Sequence, residues 1–458
     1  LPNQLLTLVD ITPKALPILA NKCRLVDKIN RQYDKRFGIE GRKIGGTANL
    51  RLPIRVIGTF GAALNVEPAT ENFLPISINY QFHTDLQFPT IALELSADDF
   101  SQRYVKPCCV AIANRLDSDG SFFAYQNTAQ RLGTPAQRPT SYLNFSDSRA
   151  MLVSEGMAFD DIEPVAMLHP FAQSSMADSL KGLLNPQRDI SKTYETGMVA
   201  KSTAGADWFE DPNITSYSLG TLTGSPVLAG VTTAAGGSAI MTSGWAQSGV
   251  FNLSGLTNTA AQCFVGDTIQ VAGLFPVNPQ SRVRYTSPAP GGLKQFVVLP
   301  PAGYAPMVGP QPPGLQFNTA TLAAGTFNAA TGQYTSSGSG TLAVTVGDPA
   351  ITGGQFQNTF ASSAFTGTPA VTINNGFASG LLSTENLYFH RDFMGMVMVD
   401  LPLPRSVEES YRSTDEDLGI SLRIITDYTI NNDAEPTRID VAYGYGSIYR
   451  SMGTRLSG

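Results

Sequence analysis

Apolar and polar positions alternate from Ala48 to Ile57, with Leu50, Leu52, Ile54 and Val56 on one phase and Asn49, Arg51 and Arg55 on the other. A second alternating run, Leu74 to Phe82, sets Leu74, Ile76, Ile78, Tyr80 and Phe82 against Ser77, Asn79 and Gln81. Period two marks a half-buried strand, and two such runs joined by Gly58 to Phe73 predict a long β-hairpin. A lone hairpin is marginal in water, so its apolar face needs a covering surface, which a neighbouring subunit would supply.

The first forty residues read as an arm with short helical pieces. Pro2, Pro13 and Pro17 interrupt any long helix, and Thr12-Pro13 has the form of a cap followed by proline at the first helical position. Ile91, Leu93 and Leu95 predict a short strand, and Ser96 with Asp99 forms a capping box for a helix carrying Phe100 and Tyr104 on one face. Beyond Pro107, the residues Cys109, Ile112, Ala113, Leu116, Gly120 and Phe123 keep helical spacing to about Arg131. That predicts a helix of roughly 35 Å. Residues 146–157 and 170–184 read as helices, separated by a short buried strand at Val165–Leu168. Leu387–Phe389 and Met394–Leu401 read as strands, and Ile420–Ile430 pairs with Thr437–Tyr443 around the turn Asn431-Asn432-Asp433. These flanks are of mixed α+β class.

Charge divides the chain sharply. Residues 217–383 hold five charged side chains (Asp267, Arg282, Arg284, Lys294 and Asp348), whereas the other 291 residues hold 63 of the 68. This middle stretch is rich in Gly, Thr, Ser, Ala and Val. It carries short β patterns at Thr268–Ala272, Gln295–Leu299, Leu342–Val346 and Ala370–Ile373, and a Pro-rich connector from Pro300 to Pro313. It reads as a β-rich module inserted into a parent domain made of 1–216 and 384–458. A length of 458 residues suits two or three domains, and 43 Gly with 30 Pro argue for many turns rather than a helical bundle.

The net charge of −6 makes no general case for nucleic-acid binding. Residues 1–60, however, carry eleven basic groups against four acidic ones, a balance of +7 that leaves −13 for the rest. Opposite signs at the two ends suit copies meeting head to tail. Cys23, Cys108, Cys109 and Cys263 show no paired spacing and are expected to be reduced and buried, as in a cytosolic product. Neither a signal-peptide pattern nor a run of 18 apolar residues occurs, so the chain is expected neither to span a membrane nor to be exported by its own signal. It begins at Leu1, so one or more residues are expected to precede it.

Candidate chemistry is sparse. His83, His169 and His390 form no metal-ligand spacing. Lys201-Ser202 follows Ala200 where a phosphate-binding loop needs glycine, and no G-x-S-x-G elbow occurs. Asp117-Ser118-Asp119-Gly120 contains a fragment of a calcium-loop pattern but lies inside the expected helix. Asp415-Glu416-Asp417 reads as a solvated acidic loop, or alternatively as a cation or inter-subunit contact. No catalytic, cofactor-binding or metal residue is assigned, and the weight falls on a structural or binding protein rather than an enzyme.

Several ordered stretches carry a resemblance. Ser96–Pro107 (SADDFSQRYVKP), Asp178–Asn185 (DSLKGLLN), Ala206–Phe209 (ADWF), Asn386–Asp392 (NLYFHRD) and Val399–Pro404 (VDLPLP) are joined by Gly419–Arg423 (GISLR), Tyr428–Asp433 (YTINND) and Arg438–Gly444 (RIDVAYG). Together they resemble the major capsid (coat) proteins of short-tailed double-stranded-DNA bacteriophages, in the subfamily with an insertion domain. The resemblance covers both flanks, in order. It implies the tailed-bacteriophage major-capsid fold: an N-terminal arm at 1–43, an extended β-hairpin loop at 44–95, and peripheral and axial domains begun by 96–216 and completed by 384–458. The inserted β-rich domain would occupy 217–383, with Val265–Gly273 and Gln295–Val298 resembling its strands; the likeness thins from Pro300 to Ser383.

The same resemblance implies hexamers and pentamers closing an icosahedral shell around double-stranded DNA, in a virion capsid assembled in the host cytoplasm. Partners would be other copies of the chain, a scaffolding protein, a portal, a decoration protein and non-specifically held DNA, with no membrane. Leu50, Leu52, Ile54, Ile76, Ile78 and Tyr80 would anchor the hairpin on a neighbour, while Arg42, Lys43, Arg51 and Arg55 meet its acidic groups. Arg24, Lys28, Arg31, Lys35 and Arg36 would face scaffold or DNA in a salt-sensitive contact. Some relatives weld their shells through a lysine on the extended loop; no lysine occurs between Lys43 and Lys106, so many weak contacts must serve instead. The rivals are a β-rich surface adhesin or fibre protein, motivated by the Gly/Thr-rich middle, and a hydrolase using Asp415, Glu416 and Asp417.

Overall fold

The apolar run at 74–82 is not one strand. In the structure, a computed structural model, strand Asn72–Ser77 ends before Ile78 and a separate strand, Tyr80–Pro89, begins. The two serve different partners. Residues described are 23–30, 47–52, 72–89 except 79, 106–157, 164–180, 205–302 except 215 and 230–239, and 319–458 except 323, 330, 405, 408, 416–419 and 429–433. Isolated positions within 1–22 and 53–71, and Tyr304, complete the set. The strand expected at Ile91–Leu95, the capping box at Ser96 and the turn at Asn431–Asp433 lie outside the described residues.

The chain divides into two compact units: residues 1–53, 71–120 and 394–448, and residues 54–70, 121–393 and 449–458. In the first unit, strand Ala434–Ser447 is the axis of a five-stranded antiparallel sheet. Along 434–443 it pairs with Tyr80–Pro89, from Ala434↔Pro89 to Tyr443↔Tyr80. It also pairs with Ile420–Thr426 and Met394–Met398, and Glu409–Asp415 adds to the far side of Ile420–Thr426. Within Tyr80–Gln87 the even positions Phe82, Thr84 and Leu86 are half-buried and the odd positions exposed, as period-two patterning requires. Asp440, fully buried, is held by the Arg423 guanidinium through Nε at 2.9 Å and a second nitrogen at 2.6 Å, a bidentate pair.

The hairpin root, Thr47–Leu52 against Asn72–Ser77, lies on this sheet. Leu74, Ile76 and Ile78 form one apolar cluster with Val397, Leu401 and Ala442, and Leu50, Val399 and Ile448 pack against it. Two glycines permit the approach. A Cβ on Gly446 would stand 2.5 Å from Ile76 Cγ1, and one on Gly444 would collide with the Ser77 carbonyl oxygen. Within the subunit this stretch of apolar face is packed against its own chain.

Helix Lys106–Asn127 ends four residues before Arg131, because Gln130–Gly133 becomes a strand. Its first-unit part is fastened to the sheet by tyrosines: Tyr445 donates to the Leu116 carbonyl at 2.9 Å and Tyr443 to Asp119 Oδ2 at 2.5 Å. Asp117 accepts from the backbone N–H groups of Arg24 and Leu25, which begins the short helix Leu25–Lys28. The carboxylates that carry a calcium-loop fragment in sequence are thus engaged in holding helices. All four cysteines are buried and unbridged, and burial pushes the Cys109 thiol up to about 12.

In the second unit a six-stranded mixed sheet runs Gln130–Gly133, Gly453–Ser457, Leu382–Phe389, Val165–Leu168 and Asp207–Glu210, with Ser216–Ser218 also on Leu382–Phe389. Helices Tyr142–Ser154 and Pro170–Leu180 pack with it, Phe145 meeting Trp208 edge-on at 5.4 Å. The low-charge residues build short sheets around their own apolar cluster, which includes Phe251, Ile269, Phe296, Tyr334 and Val344. The strands there are Thr268–Val271, Gln295–Val297, Leu342–Gly347 and Val371–Ile373, among others, each within two residues of its predicted bounds.

Because Ile76 is enclosed by its own chain, Ile76→Ala should cost about 2–5 kcal/mol of stability. Thermal or denaturant unfolding of dilute protein measures it; a loss under about 0.5 kcal/mol would mean that this face is uncovered in the lone subunit.

Candidate self-association surfaces and the buried polar network

The proposed interface residues are placed unevenly. Leu52, Ile76 and Ile78 are buried and Leu50 is half-buried, with Leu50, Ile76 and Ile78 in the cluster described above. Tyr80 is half-buried, its ring 5.8 Å from Tyr443, and burial followed by the nearby Asp119 carboxylate pushes its phenol well up. Arg51 lies on the hairpin root opposite Phe73. Arg42, Lys43, Ile54 and Arg55 lie outside the described residues, as do Arg31, Lys35 and Arg36. Arg24 is exposed and Lys28 half-buried, its Nζ 3.7 Å from Asp27. Between them Leu25, Val26 and Ile29 are fully buried, and Asn30 bridges to Gly395. This piece of the arm is part of the first unit's core.

Val56, which the alternation puts on the apolar phase of the first strand, lies beyond the observed strand Thr47–Leu52 and is 76% exposed; Leu64 and Val66, which the sequence reading passed over, are 91% and 78% exposed. The signal was present as an apolar-polar-apolar triplet, Leu64-Asn65-Val66, but too short to stand out beside the strands. Glu409–Asp415, holding the first acid of the Asp415-Glu416-Asp417 trio, is a strand at the sheet's edge.

A second feature had no sequence signal at all. Arg131 and Arg455 face each other across parallel strands, both fully buried. Arg131 donates through Nε to Ser457 Oγ at 2.7 Å, through Nη1 to Asn374 Oδ1 at 3.2 Å and through Nη2 to Glu385 Oε1 at 2.9 Å. Burial pulls the Arg131 pKa down, but Glu385, Tyr217 and Asp267 outweigh it, so the guanidinium stays charged. Ser457 also donates to Glu385, and Asn374 donates to Asp267 Oδ1 at 2.7 Å. Burial pushes the Asp267 carboxyl up, while the N–H groups of Phe264 and Gly220, Asn374 and the Arg131 charge pull it back. Gln295 closes the frame, accepting from the Arg131 N–H at 2.7 Å and donating to its carbonyl at 3.1 Å. Among the described residues the Arg455 guanidinium meets Tyr217, donating to its OH at 3.4 Å. This constellation joins low-charge residues to both flanks; it offers no substrate-accessible group and acts as structure.

Elsewhere the histidines are structural. His83 stands 2.9 Å from Asp85 on a strand, and His169 accepts from Phe171 N–H at the start of its helix. Among the described residues there is no His/Cys/Asp/Glu group arranged to hold a metal, and no helix long and apolar enough to cross a membrane.

No protein-family profile matches the chain, and no curated protein matches it. Among solved structures it is similar to one titled Mycobacterium phage Che8, at 8% identity and a TM-score of 0.39 over 96% of this chain and 90% of that one. It is also similar to the capsid structure of the cyanophage P-SCSP1u, at 8% and 0.37 over 94% and 86%. A third is the asymmetric unit of the bacteriophage PhiM1 mature capsid, at 10% and 0.38 over 90% and 81%. Superpositions this loose carry no conclusion about fold or function.

Glu385→Gln would leave the buried Arg131 guanidinium without its paired carboxylate. It should destabilise by about 3–5 kcal/mol, whereas Arg131→Met combined with Glu385→Leu should cost less than Glu385→Gln alone. Unfolding of the variants tests the order. A separate effect is expected at His390, whose pKa burial lowers and whose Nδ1 accepts from the Asp392 N–H at 3.3 Å. The unfolded chain takes the proton first, so the contribution is complete above about pH 6.5 and lost as pH falls below it. His390→Gln should flatten that acid-side decline in melting temperature; an unchanged slope would exclude His390 as its source.

Proposed function

We propose that this chain is a major capsid protein of a tailed double-stranded-DNA bacteriophage, acting by self-association and not by bond-making. The observation that carries the reading is the hairpin connection: Leu64 and Val66 stand almost fully in water between two strands whose own apolar face is already covered. A subunit that spends its hairpin root internally and leaves aliphatic residues on the connection has a surface to offer another copy. The order of elements supports the reading too, since arm, hairpin, long helix and returning strands follow one another as in the family resembled by the sequence. So does the absence of assembled chemistry among the described residues.

On this reading copies gather as hexamers and pentamers in an icosahedral shell, with the low-charge residues as an insertion domain. The basic arm, through Arg24, Lys28, Arg31, Lys35 and Arg36, faces scaffold or DNA; Arg42, Lys43, Arg51, Ile54 and Arg55 contribute to contacts between copies. Scaffolding, portal and decoration proteins are its partners, and the virion capsid its location. The anchors move outward from the expectation: Val56, Leu64 and Val66 take the role first given to Ile76 and Ile78, which support the hairpin from inside the subunit.

Electron microscopy and sedimentation of purified protein at micromolar concentration test the reading. Spherical shells or ring-like oligomers are expected; trimers or fibres would favour the adhesin reading. Leu64→Asp with Val66→Asp should keep the wild-type melting temperature yet prevent assembly, while Ile78→Asp should unfold the subunit. Normal assembly of the Leu64/Val66 variant would remove the hairpin connection from the contact.

A further inference from the structure

Two of the three basic side chains of residues 217–383, Arg284 and Lys294, meet one small sheet, and Arg282 lies two residues before the first of them. Strands Leu274–Pro276 and Thr359–Ala361 pair antiparallel, with Phe275 opposite Phe360. The Arg284 guanidinium carbon lies 3.4 Å from the centroid of the Phe275 ring and 6.0 Å from that of Phe360. Lys294 donates to the Asn358 carbonyl at 2.7 Å, next to the second strand. Arg282 sits two residues before Arg284, beside Val283, which is 65% exposed; Phe360 is 43% exposed. Neither Arg282 nor Arg284 has an acidic partner among the described residues. The segment's two acids are engaged elsewhere: Asp267 is buried in the network above, and Asp348 pairs with Arg450 at 3.2 Å.

The loop bearing these arginines is rigid. Asn278 Oδ1 accepts from the N–H groups of Gln280 and Ser281 at 2.9 and 3.0 Å, Arg282 N–H reaches the Asn278 carbonyl at 2.8 Å, and Asn278 N–H reaches that of Val283 at 3.0 Å. Arg282 holds φ at 58°, in the left-handed region where glycine would be unstrained. The chain accepts that strain while presenting a cation. Arg284, exposed and resting over an aromatic ring, has the planar form that can grip a carboxylate with two hydrogen bonds. Its rotamer freedom is largely given up before any partner arrives, so binding loses less entropy.

We propose that Arg282, Val283, Arg284 and Phe360 form a contact between copies of this chain, and that it receives the acidic edge strand Glu409–Asp415 of a second copy. The inference rests on the self-assembly reading. Complementarity selects the occupant: residues 400–417 carry six acids (Asp400, Glu408, Glu409, Asp415, Glu416, Asp417) against two bases, Arg405 and Arg412. One of those bases, Arg412, lies 3.7 Å from Asp400. Among the described residues the strand pairs with Ile420–Thr426 and lies at the edge of its sheet. Opposite charge would set partner and register, while Val283 and Phe360 supply apolar area.

Charge reversal tests it. Arg282→Glu with Arg284→Glu, and separately Glu409→Lys with Asp415→Lys, should each raise the protein concentration needed for oligomers by about tenfold or more, with melting temperature unchanged. Joining all four substitutions in one chain should restore assembly, read by sedimentation velocity and electron microscopy. Wild-type protein that assembles while both reversals assemble equally well overturns this contact alone, as does a folded four-fold variant that fails to recover. Wild-type protein that stays monomeric at every concentration overturns the self-assembly reading, and this contact with it.

Discussion

Two guanidinium groups, Arg131 and Arg455, stand opposite each other with no access to water, and Glu385 pairs with the first of them at 2.9 Å. Stripping a cation of water costs several kcal/mol even after relaxation, so a like-charge pair on adjacent buried strands demands an answering carboxylate and further hydrogen bonds. Glu385, Ser457, Asn374 and Gln295 provide them from separate segments of the chain. Those segments must arrive together, since any subset leaves a buried charge uncompensated. The network thereby couples low-charge residues 217–383 to the strands on either side of them in sequence. An apolar interface would have permitted sliding; directed bonds fix one register.

The first unit solves its main problem with apolar contact. Strand Ala434–Ser447 accepts partners along both backbone edges, and Gly444 and Gly446 remove side chains where the hairpin root crosses. Ile76 and Ile78 then reach Val397 and Ala442 directly. The hairpin root is thereby fixed on the sheet by its own chain.

Weak, repeated contacts are the natural means for such a protein. No lysine lies on the extended segment to make a covalent link, and the surfaces available are modest: a few aliphatic side chains, a cation-bearing aromatic patch and an acidic strand edge. Each contact is small. In the self-assembly proposed above, closed symmetry would multiply them, because a subunit held at several sites rejoins faster than it leaves.

Sequence alone determined the elements whose cause is local. Strand Val165–Leu168 and helix Pro170–Leu180 were legible because a short apolar run and a proline at the first helical turn need no distant partner to be recognised. The charge-poor stretch was legible as a separate solvation regime, and its cluster around Phe251 and Phe296 accounts for the missing charge by burial. What covers an apolar face was not legible. Leu74 to Phe82 reads as one strand by period two, and only the sheet decides that Ser77 ends one pairing and Tyr80 opens another. Nor does spacing announce that Arg131 meets Glu385 across 254 positions, or that Gly444 exists to admit Ser77. Periodicity records which side of a segment avoids water; the identity of the surface that excludes the water is a property of the folded whole.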